Sequence, residues 1–306
     1  MNSPTLTTRR PRLKRILGIA AATATVVALT ACTTTAEPGG GGSDGAGGTL
    51  QAVKDAGKIE VAFAAEEPYG FMDGSDLVGE APTLHKEIFK RIGDVELEGK
   101  QYDFNSLIPA LNAGDVDAVS AGMSITPERC EQAIFSNPEF VAKTALLVKP
   151  GNPKNLTDFD SVAANKDARI AVMRGAVEAD QAAAADIPKG QTEVVADPPS
   201  GIDAVTSGRA DAFALTDISL NWAAKDRDDV EVTEAFVPVV DGEEHLAVGG
   251  AVFRKGDEDL RDAFNEQLKA ILEDGDTWVK LLEPYGFTED NKPDPSMTAD
   301  EFCGEG

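Results

Sequence analysis

Histidine and cysteine are scarce in this chain, which has two histidines and three cysteines among its 306 residues. His85 and His245 lie far apart in the sequence, and neither belongs to a cluster with the spacing of metal ligands. No nucleophile elbow, phosphate-binding glycine loop or cysteine–histidine pair stands out. The sequence therefore predicts a protein that is not an enzyme and that needs no cofactor and no metal. His85 falls in a predicted amphipathic helix and is expected at the surface or at its boundary.

A long apolar run is missing as well. Residues 16–31 are uncharged and apolar, but these 16 residues are fewer than the roughly 20 that a membrane-spanning helix needs. Five basic residues precede the run, and small residues lead up to Cys32. The segment resembles a bacterial lipoprotein signal peptide (residues 1–31) whose following Cys32 receives diacylglycerol. The Arg9-Arg10 pair also resembles a twin-arginine signal, so the export route stays open.

Behind Cys32, the glycine-rich residues 32–48 offer almost nothing apolar to bury and are predicted to form a flexible tether. Stable anchoring takes two or more acyl chains, which a di- or triacylated Cys32 would supply. The sequence thus predicts an extracytoplasmic protein that is lipid-anchored to the outer face of the cell membrane.

Basic side chains are outnumbered, with 28 Lys and Arg against 53 Asp and Glu, so the net charge is −25. Without residues 1–31, which hold five basic and no acidic residues, the net charge becomes −30. A field of this sign excludes nucleic acid as a partner. It does not reveal what the protein binds. The roughly 258 residues that remain suit one large or two moderate lobes.

Lipidation would use Cys32 and leave Cys130 and Cys303. In an oxidising compartment two remaining cysteines favour a disulfide, which here would close a loop of about 170 residues and tie the C-terminal tail to the N-terminal half. Two unpaired buried thiols are the alternative.

Strand and helix patterns alternate along the rest of the chain. Residues 59–63 and 116–119 are predicted strands, whereas residues 83–92 and 105–113 have the apolar spacing of helices. Such alternation predicts an α/β fold with mostly parallel sheets.

A weak internal repeat divides this fold in two. Residues 112–119 recur as residues 206–213, and each copy consists of an apolar helix that ends at Gly and a short strand after Asp. Two similar units predict two lobes around a shared space, with ligands beyond the strand ends at residues 120–124 and 214–217. Chance similarity of a common pattern is the alternative.

Two strand-like segments, residues 145–148 and 251–253, are predicted to cross between the lobes. The first lobe is then discontinuous and holds residues 49–145 and 250–306. The second lobe holds residues 149–247.

A helix start at residues 126–129 carries the sharpest signal for a ligand. Thr126 is a good N-cap and Pro127 is favoured at the first helical position. Arg129 opposes the helix dipole there, unless an anion joins it. Alternatively, Arg129 simply bridges to a surface carboxylate.

Acidic and aromatic residues at strand ends could bind a cation. Glu66 and Tyr69 follow the first predicted strand, and Phe104 could add a second ring. Asp217 ends the second repeat strand and could meet an ammonium group. Ordinary packing of the aromatic rings and an N-cap role for Asp217 are the alternatives.

Residues 121–129, together with residues 135–138, form a motif that resembles the family 3 extracellular solute-binding proteins, and the resemblance extends over residues 49–304. It implies a two-lobed type II periplasmic-binding fold and a role beside the permease subunits of an ABC importer. Within the motif, Gly122, Ser124 and Thr126 are expected near the ligand. The resemblance implies that Arg129 holds the ligand carboxylate.

The resemblance also carries the family's acid and aromatic after the first strand to Glu66 and Tyr69, and its stacking aromatic to Phe104. Ala176 stands where the family usually presents Thr or Ser to the carboxylate.

Within the family, residues 121–132 and 151–156 look most like the ectoine- and hydroxyectoine-binding subgroup. Ser124 replaces an aromatic residue of that subgroup, and Ser124 with Asp217 is similar to amino-acid binders. The sequence therefore predicts a monomeric binding lipoprotein that captures a small zwitterion of the polar or cationic amino-acid type. An ectoine binder, a dehydratase-like enzyme on the same fold and a ligand-sensing lipoprotein are the alternatives.

Overall fold

The computed structural model describes residues 48–240 and 242–304. The predicted signal peptide, Cys32 and nearly all of the predicted tether lie outside the described residues. All described residues belong to one compact unit. Across this part of the chain, no helix is both long enough and apolar enough to cross a membrane.

The strands, in chain order, are β1 (Lys58–Phe63), β2 (Phe71–Asp73), β3 (Asp76–Val78), β4 (Glu96–Gln101), β5 (Ala118–Ser124), β6 (Ile134–Phe135), β7 (Phe140–Ala142), β8 (Thr144–Val148), β9 (Ile170–Met173), β10 (Thr192–Val195), β11 (Ala212–Thr216), β12 (Glu231–Val232), β13 (Val239–Val240), β14 (Glu243–Glu244) and β15 (Ala247–Phe253). The α-helices are α1 (Thr49–Ala56), α2 (Glu80–Gly93), α3 (Leu107–Ala113), α4 (Pro127–Cys130), α5 (Phe159–Ala164), α6 (Val177–Ala184), α7 (Pro198–Ser207), α8 (Asp217–Ala224), α9 (Glu258–Glu273), α10 (Thr277–Leu282) and α11 (Asp300–Cys303).

Two mixed sheets organise these elements. The first sheet has the order β4-β1-β5-β15-β6, with β7 also paired to β15, and the second has the order β10-β9-β11-β8-β12. All strands of a sheet run in one direction except β15 in the first and β8 in the second, which are antiparallel to their neighbours. We call the part that carries the first sheet lobe 1 (residues 48–142 and 247–304) and the part that carries the second sheet lobe 2 (residues 144–236).

The predicted α/β class is confirmed, and the predicted helices and strands form with shifted ends. The helix predicted over residues 83–92 is α2, which begins at Glu80 after Gly79 and buries Leu84, Ile88 and Phe89 on one face. The strand predicted over residues 116–119 begins only at Ala118 but runs on to Ser124.

The two copies of the internal repeat lie in different sheets. The first copy is α3, Gly114 and β5, and the second is α7, Gly208 and β11. Both glycines end their helix with φ of 79°, a left-handed conformation that glycine adopts at little cost. Each sheet thus receives one helix–glycine–strand unit.

Both crossings between the lobes lie at other positions than the sequence predicted. Residues 145–148 lie within β8, which pairs with β11 in the second sheet, and residues 251–253 lie within β15 in the first sheet. The first crossing is instead at Lys143, the single residue between β7 and β8. The return crossing comes before Ala247. Both segments were mistaken for crossings because central strands are also short apolar runs.

A disulfide joins Cys130 in α4 to Cys303 in α11, with 5.6 Å between their Cα atoms. The C-terminal segment is thereby held against the helix that carries Arg129.

A buried acidic group accompanies His85 inside lobe 1. His85 is fully buried rather than at the surface, and its Nε2 lies 2.8 Å from Oε1 of the equally buried Glu139. The prediction of a surface position for His85 was wrong because His85 is a polar residue on the buried face of α2. Glu80 is also fully buried, and neither of its carboxyl oxygens has a hydrogen-bond partner among the described residues. Burial, reinforced by Glu139, raises the pKa of Glu80 well above its ordinary value.

Candidate functional site

A small cavity lies between the two lobes, where strands of both sheets end. Its volume is about 20 Å³, close to what a single water molecule needs. Lobe 1 contributes Glu66, Tyr69, Phe104, Gly122, Ser124 and Arg129, and lobe 2 contributes Met173, Ala176, Val177, Glu178, Leu215 and Thr216.

Strand ends and helix starts position these side chains. Glu66 and Tyr69 follow β1, Ser124 ends β5, and Thr216 ends β11. Ala176 precedes the first residue of α6 on the lobe 2 side. This is the place at which open α/β sheets bind ligands, beyond the carboxyl ends of their strands.

Arg129 reaches across the cavity from α4. Its Nη1 donates to the Ser124 carbonyl oxygen at 2.7 Å, and its Nη2 donates to the Gly175 carbonyl oxygen of lobe 2 at 2.8 Å. The guanidinium carbon lies 5.6 Å from the centroid of the Phe104 ring. A guanidinium has five donors, so Arg129 keeps others that could hold an anion.

Glu66 lines the same cavity as Arg129 and is buried, with 7% of its surface exposed. Its Oε1 accepts a hydrogen bond from Ser219 Oγ at 3.0 Å. Burial and the nearby Glu178 carboxylate raise the pKa of Glu66 to about 7, against the opposing effects of Ser219 and Arg129. This carboxyl group is therefore poised to gain or lose a proton near neutral pH.

Glu178 is a second buried acid in the cavity, and it was not among the site residues predicted from the sequence. It lies in the first turn of α6 and is 2% exposed. Burial raises the pKa of Glu178 to about 7, although Arg129 acts in the opposite direction. An acid in the first helical turn is common, because it favours the helix dipole, so its sequence position gave no sign of a site.

Tyr69 bridges the lobes. It is 2% exposed, and its hydroxyl donates to Thr216 Oγ1 at 3.2 Å. Its ring packs against Phe140 and Phe287, with centroids 4.9 and 5.6 Å apart. Gly122, at a φ of 57°, lies directly against this ring, and a side chain there would overlap it.

The other residues predicted from the motif divide into two groups. Phe104, Ser124 and Ala176 line the cavity, Ser124 with its carbonyl oxygen occupied by Arg129. Ala176 has no side-chain oxygen with which to cap α6. Thr126 does not line the cavity, because its hydroxyl caps α4 by accepting the Arg129 backbone N–H at 3.3 Å.

Asp217 also lies outside the cavity lining, although the sequence analysis expected it to meet an ammonium group. Its Oδ1 accepts the backbone N–H of Lys143 at 3.1 Å, and its own N–H donates to the Lys143 carbonyl oxygen at 2.9 Å. Burial raises the pKa of Asp217. The preceding residue, Thr216, is both the N-cap of α8 and a cavity residue.

Outside the cavity, a further pair of side chains joins the lobes. Trp222 of α8 donates through Nε1 to Glu67 Oε2 at 2.8 Å, and its ring lies near Phe71 of lobe 1. Together with the bonds made by Tyr69, Ser219 and Arg129, this contact holds the cleft shut. Within residues 48–240 and 242–304, no group of acidic, histidine or cysteine side chains could hold a metal ion.

Comparison with known proteins identifies the family of the chain. Residues 59–289 match the model of the bacterial extracellular solute-binding proteins, family 3. The chain belongs to this family. The predicted resemblance is thus confirmed, and so is the two-lobed type II periplasmic-binding fold.

Individual members of the family resemble the chain along most of its length. A probable amino-acid ABC transporter periplasmic-binding protein of Sinorhizobium fredii is 34% identical over 83% of this chain and 86% of its own. The arginine-binding extracellular protein ArtP of Bacillus subtilis is 28% identical over 90% of this chain and 99% of its own. The crystal structure of EhuB in complex with hydroxyectoine has 34% identity and a TM-score of 0.73, covering 83% of this chain and 97% of its own.

The first two of these proteins are named as binding proteins, and the third was crystallised in complex with hydroxyectoine.

Proposed function

We propose that this chain is the ligand-capturing subunit of an ABC importer and that it binds a small zwitterion of the amino-acid type between its lobes. The observation that carries the proposal is the pairing of Arg129, a cation with unused donors, with the buried Glu66 inside a cavity that both lobes complete. A zwitterion has one group for each of these charges. The named functions of the family members from Sinorhizobium fredii and Bacillus subtilis support the same class of protein.

In the proposed complex, the ligand carboxylate binds Arg129 and the first free N–H groups of α6. The ammonium group binds the Glu66 carboxylate beside the Tyr69 and Phe104 rings. Because Thr216 rather than Asp217 faces the cavity, we assign Asp217 to the crossing at Lys143.

Ligand entry requires the lobes to separate, since about 20 Å³ is too little for an amino acid. Opening breaks the bond from Arg129 to the Gly175 carbonyl oxygen and the bonds that Tyr69 and Ser219 make across the cleft. The ligand then replaces these partners, and its contacts with both lobes favour closure. We propose that the importer permease subunits recognise this closed form.

We also propose that the protein works outside the cytoplasm as a monomer, anchored by lipid on Cys32. The family members compared above are named periplasmic or extracellular proteins. A Cys32→Ser variant tests the anchor, because it should move the protein from the membrane fraction to the soluble fraction. A Cys130→Ser variant, which alters a different cysteine, should stay with the membrane. Equal partitioning of both variants and the unchanged protein would contradict the anchor.

Titration calorimetry with a panel of amino acids, ectoine and hydroxyectoine tests the binding function. Removal of one partner from a buried charge pair costs about 2–5 kcal/mol, so Arg129→Ala should weaken binding by roughly 30-fold or more. Arg174→Ala is the matched control, because Arg174 is exposed and precedes Gly175. The proposal fails if no ligand of the panel binds, or if both arginine variants bind equally well.

Ectoine or hydroxyectoine is the second candidate ligand. The likeness to EhuB in complex with hydroxyectoine favours it, and a cyclic amidinium carboxylate also offers one charge of each sign. The same panel separates the candidates by their relative affinities. We expect no turnover of prephenate or arogenate, and turnover of either compound would favour the dehydratase-like alternative instead.

A further inference from the structure

The cavity holds more negative charge than a ligand of zero net charge can balance. Its charged lining residues are Glu66, Glu178 and Arg129. With both carboxyl groups ionised, these three side chains leave one unbalanced negative charge. A buried net charge is unfavourable, so either a proton or the ligand has to balance it.

Glu178 differs from Glu66 because no other residue in the described part of the chain donates a hydrogen bond to its carboxylate. Glu66 accepts the Ser219 hydroxyl, whereas among the described residues the Glu178 side chain has only its own backbone N–H as a hydrogen-bond donor. It is nonetheless 2% exposed and lines the cavity. A buried carboxylate that lacks a cationic partner of its own costs free energy that a cationic ligand group would recover.

The surrounding charged groups do not supply that cation. Arg129 is the base that acts on Glu178, and it is already needed for the ligand carboxylate. Asp180 and Glu128 lie close enough to act on Arg129, and both are acids. Tyr69, which also faces Glu66, is kept neutral because burial raises its pKa.

We infer that Glu178 is a selectivity residue that favours ligands with a second positive charge, so that the cavity prefers a cationic amino acid to a neutral one. This inference rests on the proposed function, because it specifies the ligand class of the same cavity. The carboxylate of the ligand binds Arg129, its ammonium group binds Glu66, and its side-chain cation binds Glu178.

Net ligand charge then sets the order of affinity. A ligand of net charge +1 neutralises Glu66, Glu178 and Arg129 together. A neutral zwitterion leaves one carboxylate unbalanced, and that group has to hold a proton. An acidic amino acid adds a further negative charge and is rejected.

Proton exchange accompanies this selectivity. Because the pKa of each acid is raised to about 7, the empty cavity retains protons at neutral pH that a cationic ligand displaces. The affinity for a cationic amino acid therefore increases as the pH rises from 6 to 8. The affinity for a neutral zwitterion varies less, since one proton remains in its complex.

Calorimetry on the full-length protein in detergent tests the inference with L-arginine, L-lysine, L-glutamine, ectoine and L-glutamate. Glu178→Gln should weaken arginine and lysine binding about tenfold or more, the loss of one charged hydrogen-bonded pair. Glutamine and ectoine binding should change by less than about threefold on the same scale. Asp180→Asn is the matched control, because Asp180 lies on the same helix but is exposed, and it should leave the order of affinity unchanged.

A measurement on the unchanged protein covers the case in which Glu178→Gln does not fold. Arginine should bind more tightly at pH 8 than at pH 6 and should release protons at pH 7, as shown by titration in buffers of different ionisation enthalpy. The inference is overturned if arginine and glutamine show the same pH dependence, or if Glu178→Gln affects both classes equally. If no ligand binds the unchanged protein, the proposed function itself fails.

Discussion

The Glu80 carboxyl group is held inside lobe 1 with no hydrogen-bond partner among the described residues, and this arrangement should make the stability of the protein depend on pH. Its pKa in the folded state is raised above the ordinary value of 4.5 by burial and by Glu139. The folded state therefore keeps a proton that the unfolded state releases. This contribution to stability is complete below pH 4.5 and is lost as the pH rises towards the folded-state pKa.

Glu80→Gln should remove this loss, because the amide fills the same space and does not ionise. We expect the free energy of unfolding of the variant to exceed that of the unchanged protein at pH 8 but not at pH 4.5. Within the window, the difference grows by up to about 1.4 kcal/mol per pH unit. Urea denaturation at both pH values measures it.

Glu87→Gln is the control, because Glu87 lies on the same helix in a partly exposed ion pair with Arg91, which contributes little. A constant difference between Glu80→Gln and the unchanged protein across this pH range would show that Glu80 is not the titrating group.

Among the site residues, the sequence predicted those whose side-chain charge is unusual for their position in a helix or strand. Arg129 could be found because a cation at a helix start is unfavourable unless it has an anionic partner. Glu178 could not, because its burial depends on how lobe 2 closes over lobe 1. Thr216 was missed in favour of its more acidic neighbour, since the turn of β11 into α8 decides which of the two side chains faces the cavity.

Among the elements, α8 does most to hold the lobes together. Thr216, Ser219 and Trp222 follow one another at intervals of three residues, so they share a face of the helix. All three bond to the segment after β1, through Tyr69, Glu66 and Glu67. The hydrogen bonds of this one helix face therefore form when the cleft shuts and break when it opens.

Trp222→Phe should weaken ligand binding about fivefold, because it removes one hydrogen bond of the closed form and keeps an aromatic ring. The chain has two tryptophans, and the other, Trp278, is buried in lobe 1. The fluorescence change on arginine binding should therefore come from Trp222 and disappear in the variant. A change that persists unaltered in Trp222→Phe would place the signal at Trp278.

The predicted elements formed, but the boundaries between lobes did not follow the prediction. Apolar spacing identified α2, α3, β1 and β5, because burial of one face depends on local periodicity, and the internal repeat identified β11. The crossings were misplaced, since β8 and β15 are as apolar as the strands around them. Which strand lies centrally in which sheet is decided by long-range pairing that periodicity does not encode.

For the molecule as a whole, the bond between Cys130 and Cys303 closes a loop across 173 positions of the chain. Such a closure restricts the unfolded state, and removal of a native disulfide typically costs about 2–5 kcal/mol. The double variant Cys130→Ser, Cys303→Ser should have a free energy of unfolding lower by that amount. Guanidinium denaturation measures the loss.

Reduction of the unchanged protein should reproduce the effect of the double variant. If the unfolding curves of the oxidised and reduced protein coincide, the bond does not contribute to stability. A thiol assay on the unfolded chain gives an independent count of free cysteines.

The single-residue crossing at Lys143 has a consequence for how the cleft moves in time. Both backbone groups of Lys143 are bound to Asp217, so this residue belongs mechanically to lobe 2. At this crossing, rotation is left to the dihedrals on either side of the peptide that joins Lys143 to Ala142 at the end of β7. The Lys143 amide, although its side chain is exposed, should therefore exchange slowly with deuterium whether or not ligand is present. At this crossing, opening then turns lobe 2 as a rigid body about the backbone dihedrals between Ala142 and Lys143 and does not loosen a linker.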